Sequence, residues 1–188
     1  MEDLSLHILD IAENSVEAGA TDVKISLIED RRADLLTLEI QDNGRGMNPE
    51  ECHQALDPFY TSRTTRRFGF GLPFLKEACE AAEGHLTLES APGQGTRVTA
   101  TFRLSHLDLK PLGDIALTLI TLIAGHPEIE WLYYHRRNDF EFTFSTREFK
   151  ENYPEIAINH PEALKAIRNH IDKNLSIIRR EHDRGQSL

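Results

Sequence analysis

Asp42-Asn43-Gly44-Arg45-Gly46-Met47 follows a stretch in which apolar and polar residues alternate. Leu36, Leu38 and Ile40 fall on one face of a strand, Thr37, Glu39 and Gln41 on the other. Asp42 has the parity of the apolar face, so its carboxylate is expected to point inward where the strand gives way to a glycine turn. A carboxylate aimed into a dry space needs a donor. The two glycines leave room for something flat to approach the backbone. A purine with an exocyclic amine meets both conditions. Asp-Asn-Gly is equally an ordinary turn with a solvated Asp, so the stretch must be weighed with its neighbours.

Leu6 to Ala18 reads as a helix, with Ser5 as N-cap and Gly19 as the C′ stop. Leu4, Ile8, Ile11 and Ser15 share one stripe, and Asp10, Asn14 and Glu17 another. The polar stripe by itself reads as a solvated face. Gly69-Phe70-Gly71-Leu72 opens a second helix running to about Glu83, with Pro73 tolerated in its first turn. A glycine-rich turn at a helix N-terminus favours phosphate, because free N–H groups and the helix dipole act together. Gly93-Gln94-Gly95-Thr96 leads into a strand where Val98, Ala100 and Phe102 face one way, and Thr96 shares their parity.

These pieces, in this order, resemble the GHKL superfamily of ATP-binding domains, which includes DNA gyrase, the Hsp-ninety chaperone, histidine kinases and mismatch-repair ATPases. Asp10 to Thr21 is similar to the superfamily's N box, and Asp42 to Met47 to its first glycine box. Asp57-Pro-Phe-Tyr-Thr-Ser and Gly69 to Lys76 resemble the lid and second glycine box of histidine kinases. Glu89 to Thr96 resembles their closing glycine-threonine element, so the resemblance spans about residues 5–104.

The resemblance implies roles. Asn14 would offer its amide oxygen to a Mg2+ ion bridging the phosphates of ATP, a hard cation that takes oxygen ligands and keeps waters. Asp42 would accept the adenine amine, with Thr96 close by through a water. Gly44 and Gly46, followed by Met47, would let the base lie against the backbone. Gly69, Phe70, Gly71 and Leu72 would present the helix N-terminus to the phosphates. Phe59 to Phe68 would form a lid, with Thr61, Arg63, Arg66 and Arg67 within it; the arginines would pair with phosphate on closure or remain solvated. The superfamily's hydrolysing members carry Glu four residues before the magnesium Asn. Here that position is Asp10, one methylene shorter. Asp10 is therefore a candidate base for slow hydrolysis or a ligand to magnesium-bound water. Glu13, one residue from Asn14, lies on a different helix face.

Composition sets outer bounds. The 188 residues suit one core, or one domain with an appendage. The net charge is −10, with 10 Lys+Arg against 18 Asp+Glu in residues 1–104 and 11 against 13 in residues 105–188. Such a chain repels a nucleic-acid backbone, so no nucleic-acid partner is expected. The longest apolar stretch, Ile115 to Ala124, is too short to span a bilayer, and acidic residues follow Met1, so no membrane association, no signal peptide and a cytoplasmic location are expected. Cys52 and Cys79 have no metal-site spacing and read as reduced thiols. His7 reads as a core or surface residue.

The pattern changes after Leu104. Asp114 to Ala124 reads as a helix, Glu130 to His135 and Phe140 to Ser145 as a hairpin, and the chain from Pro161 as a final helix with Leu164, Ile167, Ile171, Leu175 and Ile178 at helical spacing. Phe140, Phe142 and Phe144 share one strand face. The expected architecture is an α/β (α+β) two-layer sandwich over residues 1–104, the Bergerat or GHKL ATP-binding fold, and a small α+β module of helix, hairpin and helix over 105–188. Strands near 23–28, 35–42, 85–90 and 96–104 would form a mixed or antiparallel sheet, with the nucleotide between it and helices 6–18 and 72–83.

Function is then expected to be that of a stand-alone, histidine-kinase-like regulatory module that binds Mg-ATP and passes its ATP or ADP state to an unidentified protein partner. One version is a protein kinase acting in trans. Two alternatives stand beside it: a slow ATPase with nucleotide-gated homodimerisation and Asp10 as base, and a non-enzymatic scaffold with a vestigial pocket.

Overall fold

The first helix, α1 (Leu4–Glu17), forms because Leu4, Ile8, Ile11 and Ser15 recur on one stripe, and all four are buried. Its N-cap is Asp3 rather than Ser5: Asp3 has extended backbone angles and accepts from the Leu6 N–H at 3.1 Å, while Ser5 Oγ donates to Asp3 Oδ1. Gly19 follows the helix at φ +73° and donates to the Val16 carbonyl, the expected C′ stop. The computed structural model describes residues 2–57 and 71–184.

The strands are β1 (Asp22–Asp30), β2 (Leu35–Asp42), β3 (Leu86–Ser90), β4 (Thr96–Arg103), β5 (Glu130–Arg137) and β6 (Phe140–Ser145). They form a single mixed sheet in the order β3-β4-β2-β1-β5-β6. Every pairing is antiparallel except β1 with β5, which is parallel. Residues 130–145 thus extend the same sheet that carries Asp42. In register, Asp42 lies opposite Val23 on one side and Thr96 on the other, all on one face.

That face is the covered one. Val23, Ile25 and Leu27 of β1, Leu36, Leu38 and Ile40 of β2, and Val98, Ala100 and Phe102 of β4 are buried on it. On β5 it carries Trp131 and Tyr133, and on β6 Phe142 and Phe144; Phe140, at the strand's start, is exposed. Over it lie α3 (Gly71–Ala81), α1, α4 (Ile115–Gly125) and α6 (Pro161–Arg184), each packed on the next in that lateral order. The opposite face carries Lys24 and Arg97, which are exposed, and Thr37, Glu39, Gln41 and Thr99, which are half-buried. The result is two layers, helices on one side of a sheet.

Two short helices were not expected. α2 (Pro49–Ala55) starts with a capping box, Asn48 accepting from the Glu51 N–H and Glu51 accepting from the Asn48 N–H, with Pro49 in its first turn. α5 (Thr146–Asn152) follows β6 directly, capped by Ser145.

A buried polar chain ties β1 to β5. Glu29 Oε1 and His135 Nε2 are 2.9 Å apart, and His135 Nδ1 lies 2.9 Å from the Tyr133 hydroxyl. Burial alone would raise the Glu29 carboxyl; the His135 hydrogen bond and the Arg137 guanidinium outweigh it and hold Glu29 below the usual range. Among the described residues, no helix is long and apolar enough to cross a membrane.

Candidate functional site

Asp42 ends β2 on the covered face, so its carboxylate enters the gap between the sheet and α1. It is only 9% exposed and accepts three hydrogen bonds: Ser15 Oγ to Oδ2 at 2.7 Å, and the Gly44 N–H at 2.9 Å and Thr96 N–H at 3.2 Å to Oδ1. A carboxylate has about four acceptor positions, so about one remains for a further donor.

A narrow cleft, partly open to solvent, borders that carboxylate. α1 lines it with Ile11, Asn14 and Ser15; the turn after β2 contributes Arg45, Gly46 and Met47; Leu72 comes from α3 and Thr96 from β4. Asn14 is half-buried, and no hydrogen bond of its side chain is seen among the described residues. Four sequence segments that are far apart therefore meet at one place.

The turn after β2 is held from below. The position a Cβ would occupy on Gly46, at φ +67°, is 1.9 Å from the Ala91 carbonyl oxygen, and one on Gly95 would be 2.0 Å from the Asp42 carbonyl oxygen. A Cβ on Gly44 would meet Ala18 at 2.9 Å. The space these glycines leave is taken by the chain's own backbone, not held open for a ligand as the sequence suggested. Their absent side chains let the two glycine loops close on each other, and Gly46 still borders the cleft while Gly44 sits behind it.

Ser90 locks this junction. Its Oγ accepts from the Met47 N–H at 2.8 Å and donates to the Gly95 carbonyl at 2.8 Å. That uses its single proton, so the Thr96 hydroxyl, 3.0 Å away, donates to Ser90 and keeps its own lone pairs free.

Asp10 does not line the cleft. It lies one turn before Asn14, beside the start of α3: a Cβ on Gly71 would sit 3.1 Å from Asp10 Cβ and 3.7 Å from its Oδ2. Loss of hydration first, and the Glu13 carboxylate second, raise the Asp10 carboxyl above its ordinary range. Glu13 turns away towards the end of α4, where its carboxylate is 3.3 Å from His126 Nε2. Thr61, Arg63, Gly69 and Phe70, with the remainder of the expected lid, lie outside the described residues. Among the described residues no three His, Cys, Asp or Glu side chains are grouped as a metal site.

Sequence reasoning missed Ser15 and Ser90 as supports of the site, and Arg45 as a cleft residue. Ser15 carried a signal: it is the polar member of an otherwise apolar stripe.

The sequence profile described as "Histidine kinase-, DNA gyrase B-, and HSP90-like ATPase" matches residues 2–106. The chain is 36% identical over 108 residues to the sensor protein kinase FleS of Pseudomonas aeruginosa, covering 57% of this chain and 26% of that protein. It is 30% identical over 116 residues to the non-motile and phage-resistance protein of Caulobacter vibrioides, covering 57% of this chain and 14% of that one. It therefore spans about a quarter or less of these relatives. A solved N-terminal domain of a DNA repair protein shares the fold, with a TM-score of 0.53 and 16% identity over 76% of this chain and 52% of that chain.

Proposed function

We propose a function from one premise: the chain belongs to the family of histidine kinase-, DNA gyrase B- and HSP90-like ATPases. On our reading, the cleft between α1, β2 and β4 takes ATP with a magnesium ion, and the chain reports the bound nucleotide to a partner protein. The observation that carries this is Asp42: an inward, buried carboxylate with three donors satisfied and one acceptor position left over. An adenine amine supplies the missing donor. Thr96, with its hydroxyl proton committed to Ser90, offers a second acceptor beside it.

The residues present fit the ion as well. Asn14 borders the cleft with an amide not seen to hydrogen-bond among the described residues. Its oxygen would hold the ion, which when bound neutralises phosphate charge. Gly71 and Leu72 stand at the start of α3, where a helix dipole favours anions. We assign phosphate contacts to these two, with Gly69, Phe70, Thr61 and Arg63 completing them. Gly46 and Met47 flank the base, and Gly44 shapes the turn beneath.

A protein in trans is the phosphoacceptor in the kinase version of this reading, which sets the chain in the cytoplasm. A second reading, slow hydrolysis, is favoured by one observation: Asp10 is a carboxyl with a raised proton affinity beside the start of α3. A base poised nearer neutrality suits activation of water.

Calorimetric titration of ATP and ADP, with and without magnesium, tests the proposal. Wild-type protein binds ATP more tightly with magnesium. Asp42→Ala, shown folded by circular dichroism, loses at least tenfold in affinity for both nucleotides, because a buried amine without an acceptor costs about 1–3 kcal/mol. Affinity within twofold of wild type refutes the placement.

A further inference from the structure

We propose that the groove beside β6 binds an extended apolar segment of a partner protein, flanked by lysines or arginines, which adds as a seventh strand. Strand order leaves the outer edge of β6 unpaired among the described residues. Exposed edges are templates for another strand, and proteins usually blunt them with Lys, Pro or a bulge. Phe140-Glu-Phe-Thr-Phe-Ser145 contains neither Lys nor Pro, and its ladder with β5 is unbroken over six residues.

The groove meets the second half of that strand. Thr143, Phe144 and Ser145 all line it. Successive strand residues point to opposite faces, so three in a row bordering one groove place it beside the strand's open edge at that end. It is a wide groove, open to solvent. Phe149, Tyr153 and Ile156 form an apolar wall, with Tyr153 49% and Ile156 41% exposed. Apolar area exposed beside an open strand edge suits side chains projecting from an added strand.

Charge selects the occupant. Glu148, Glu155 and Glu162 line the groove, and among the described residues no lysine or arginine does. Basic residues flanking the apolar ones would pair with these acids. A second copy of the same chain is disfavoured by the same feature, since it would set a net charge of −10 against its equal and bring three more glutamates to the junction.

This location for a partner rests on the function proposed above, but its test needs no nucleotide, so the two fail separately. Fluorescence anisotropy of the full chain would use three labelled decapeptides: alternating Val and Lys, alternating Val and Glu, and the Val–Lys peptide with two central prolines. The proline peptide keeps the charge and cannot add as a strand. The Val–Lys peptide binds at least tenfold tighter than either control, and the exposed-surface variant E148K/E155K/E162K loses at least tenfold of that affinity while titrating ATP like wild type. Equal affinity for the three peptides, no binding by any, or unchanged affinity in the variant overturns the proposal. So does sedimentation showing a dimer that the triple variant dissolves, since the groove would then hold a second copy.

Discussion

Ser15 Oγ donates to Asp42 Oδ2 at 2.7 Å, joining α1 to the end of β2 at the floor of the cleft. The serine is the only group on α1 seen to bond to this carboxylate, so it fixes how the carboxylate faces the cleft. Ser15→Ala leaves the buried carboxylate short of one donor and lowers stability by about 1–3 kcal/mol. ATP affinity falls with it, and Ser15→Thr restores part of both. Urea unfolding alongside calorimetry checks this; an alanine variant with unchanged stability and affinity refutes it.

Asp10→Asn separates hydrolysis from binding. If Asp10 activates water, the variant loses about 10²- to 10⁴-fold in phosphate release and keeps its ATP affinity. The sign with pH is set by its raised carboxyl. The base works when deprotonated, so turnover rises with pH through a range above that of an ordinary carboxyl. Phosphate release that exceeds background and survives the substitution excludes Asp10 as the base.

His7 is 2% exposed, its Nδ1 has no hydrogen-bond partner among the described residues, and burial drives its pKa down from 6.5 to about 4. The unfolded chain therefore binds a proton between those values that the folded protein does not. His7 costs nothing above pH 6.5; stability falls as pH drops towards 4, by up to about 3 kcal/mol, and levels off below. Unfolding curves from pH 7 to 4 for wild type and His7→Leu give the difference. A parallel dependence in both proteins contradicts the assignment.

Glu29 sits between His135 and Arg137 with its side chain 6% exposed. Removing one member of such a buried group leaves the other charge uncompensated. Glu29→Ala lowers stability by about 3–5 kcal/mol, with no effect on nucleotide affinity beyond that. Chemical denaturation measures it, and a loss under 1 kcal/mol counts against the buried pairing.

The parity of β2 was enough to aim Asp42 inward, and the stripe Leu4, Ile8, Ile11 and Ser15 was enough to bury α1, because both are periodicities of a single element. The meeting of Asn14, Met47, Leu72 and Thr96 at one cleft was legible only through the resemblance of the four segments. What stayed hidden was set by long-range contact. Nothing local in Glu130 to Arg137 says that it pairs in parallel with β1, about a hundred positions earlier. Ser90's three contacts exist only once β3, β4 and the Met47 turn are assembled. α2 is a different case, since Asn48, Pro49 and Glu51 spell a capping box that is local and readable.

The parallel union of β1 with β5 has a consequence for how this protein can be cut. The family match stops at residue 106, yet β1 is covered on its second side only by residues beyond 129. A gene truncated after residue 104 would remove Trp131 and Tyr133 from the core and lay bare the backbone edge of the nine-residue β1 beside its buried Val23, Ile25 and Leu27. The limit of recognisable ancestry is thus not the limit of what must fold together. A piece excised at the end of the family match would carry an open strand edge that favours self-association.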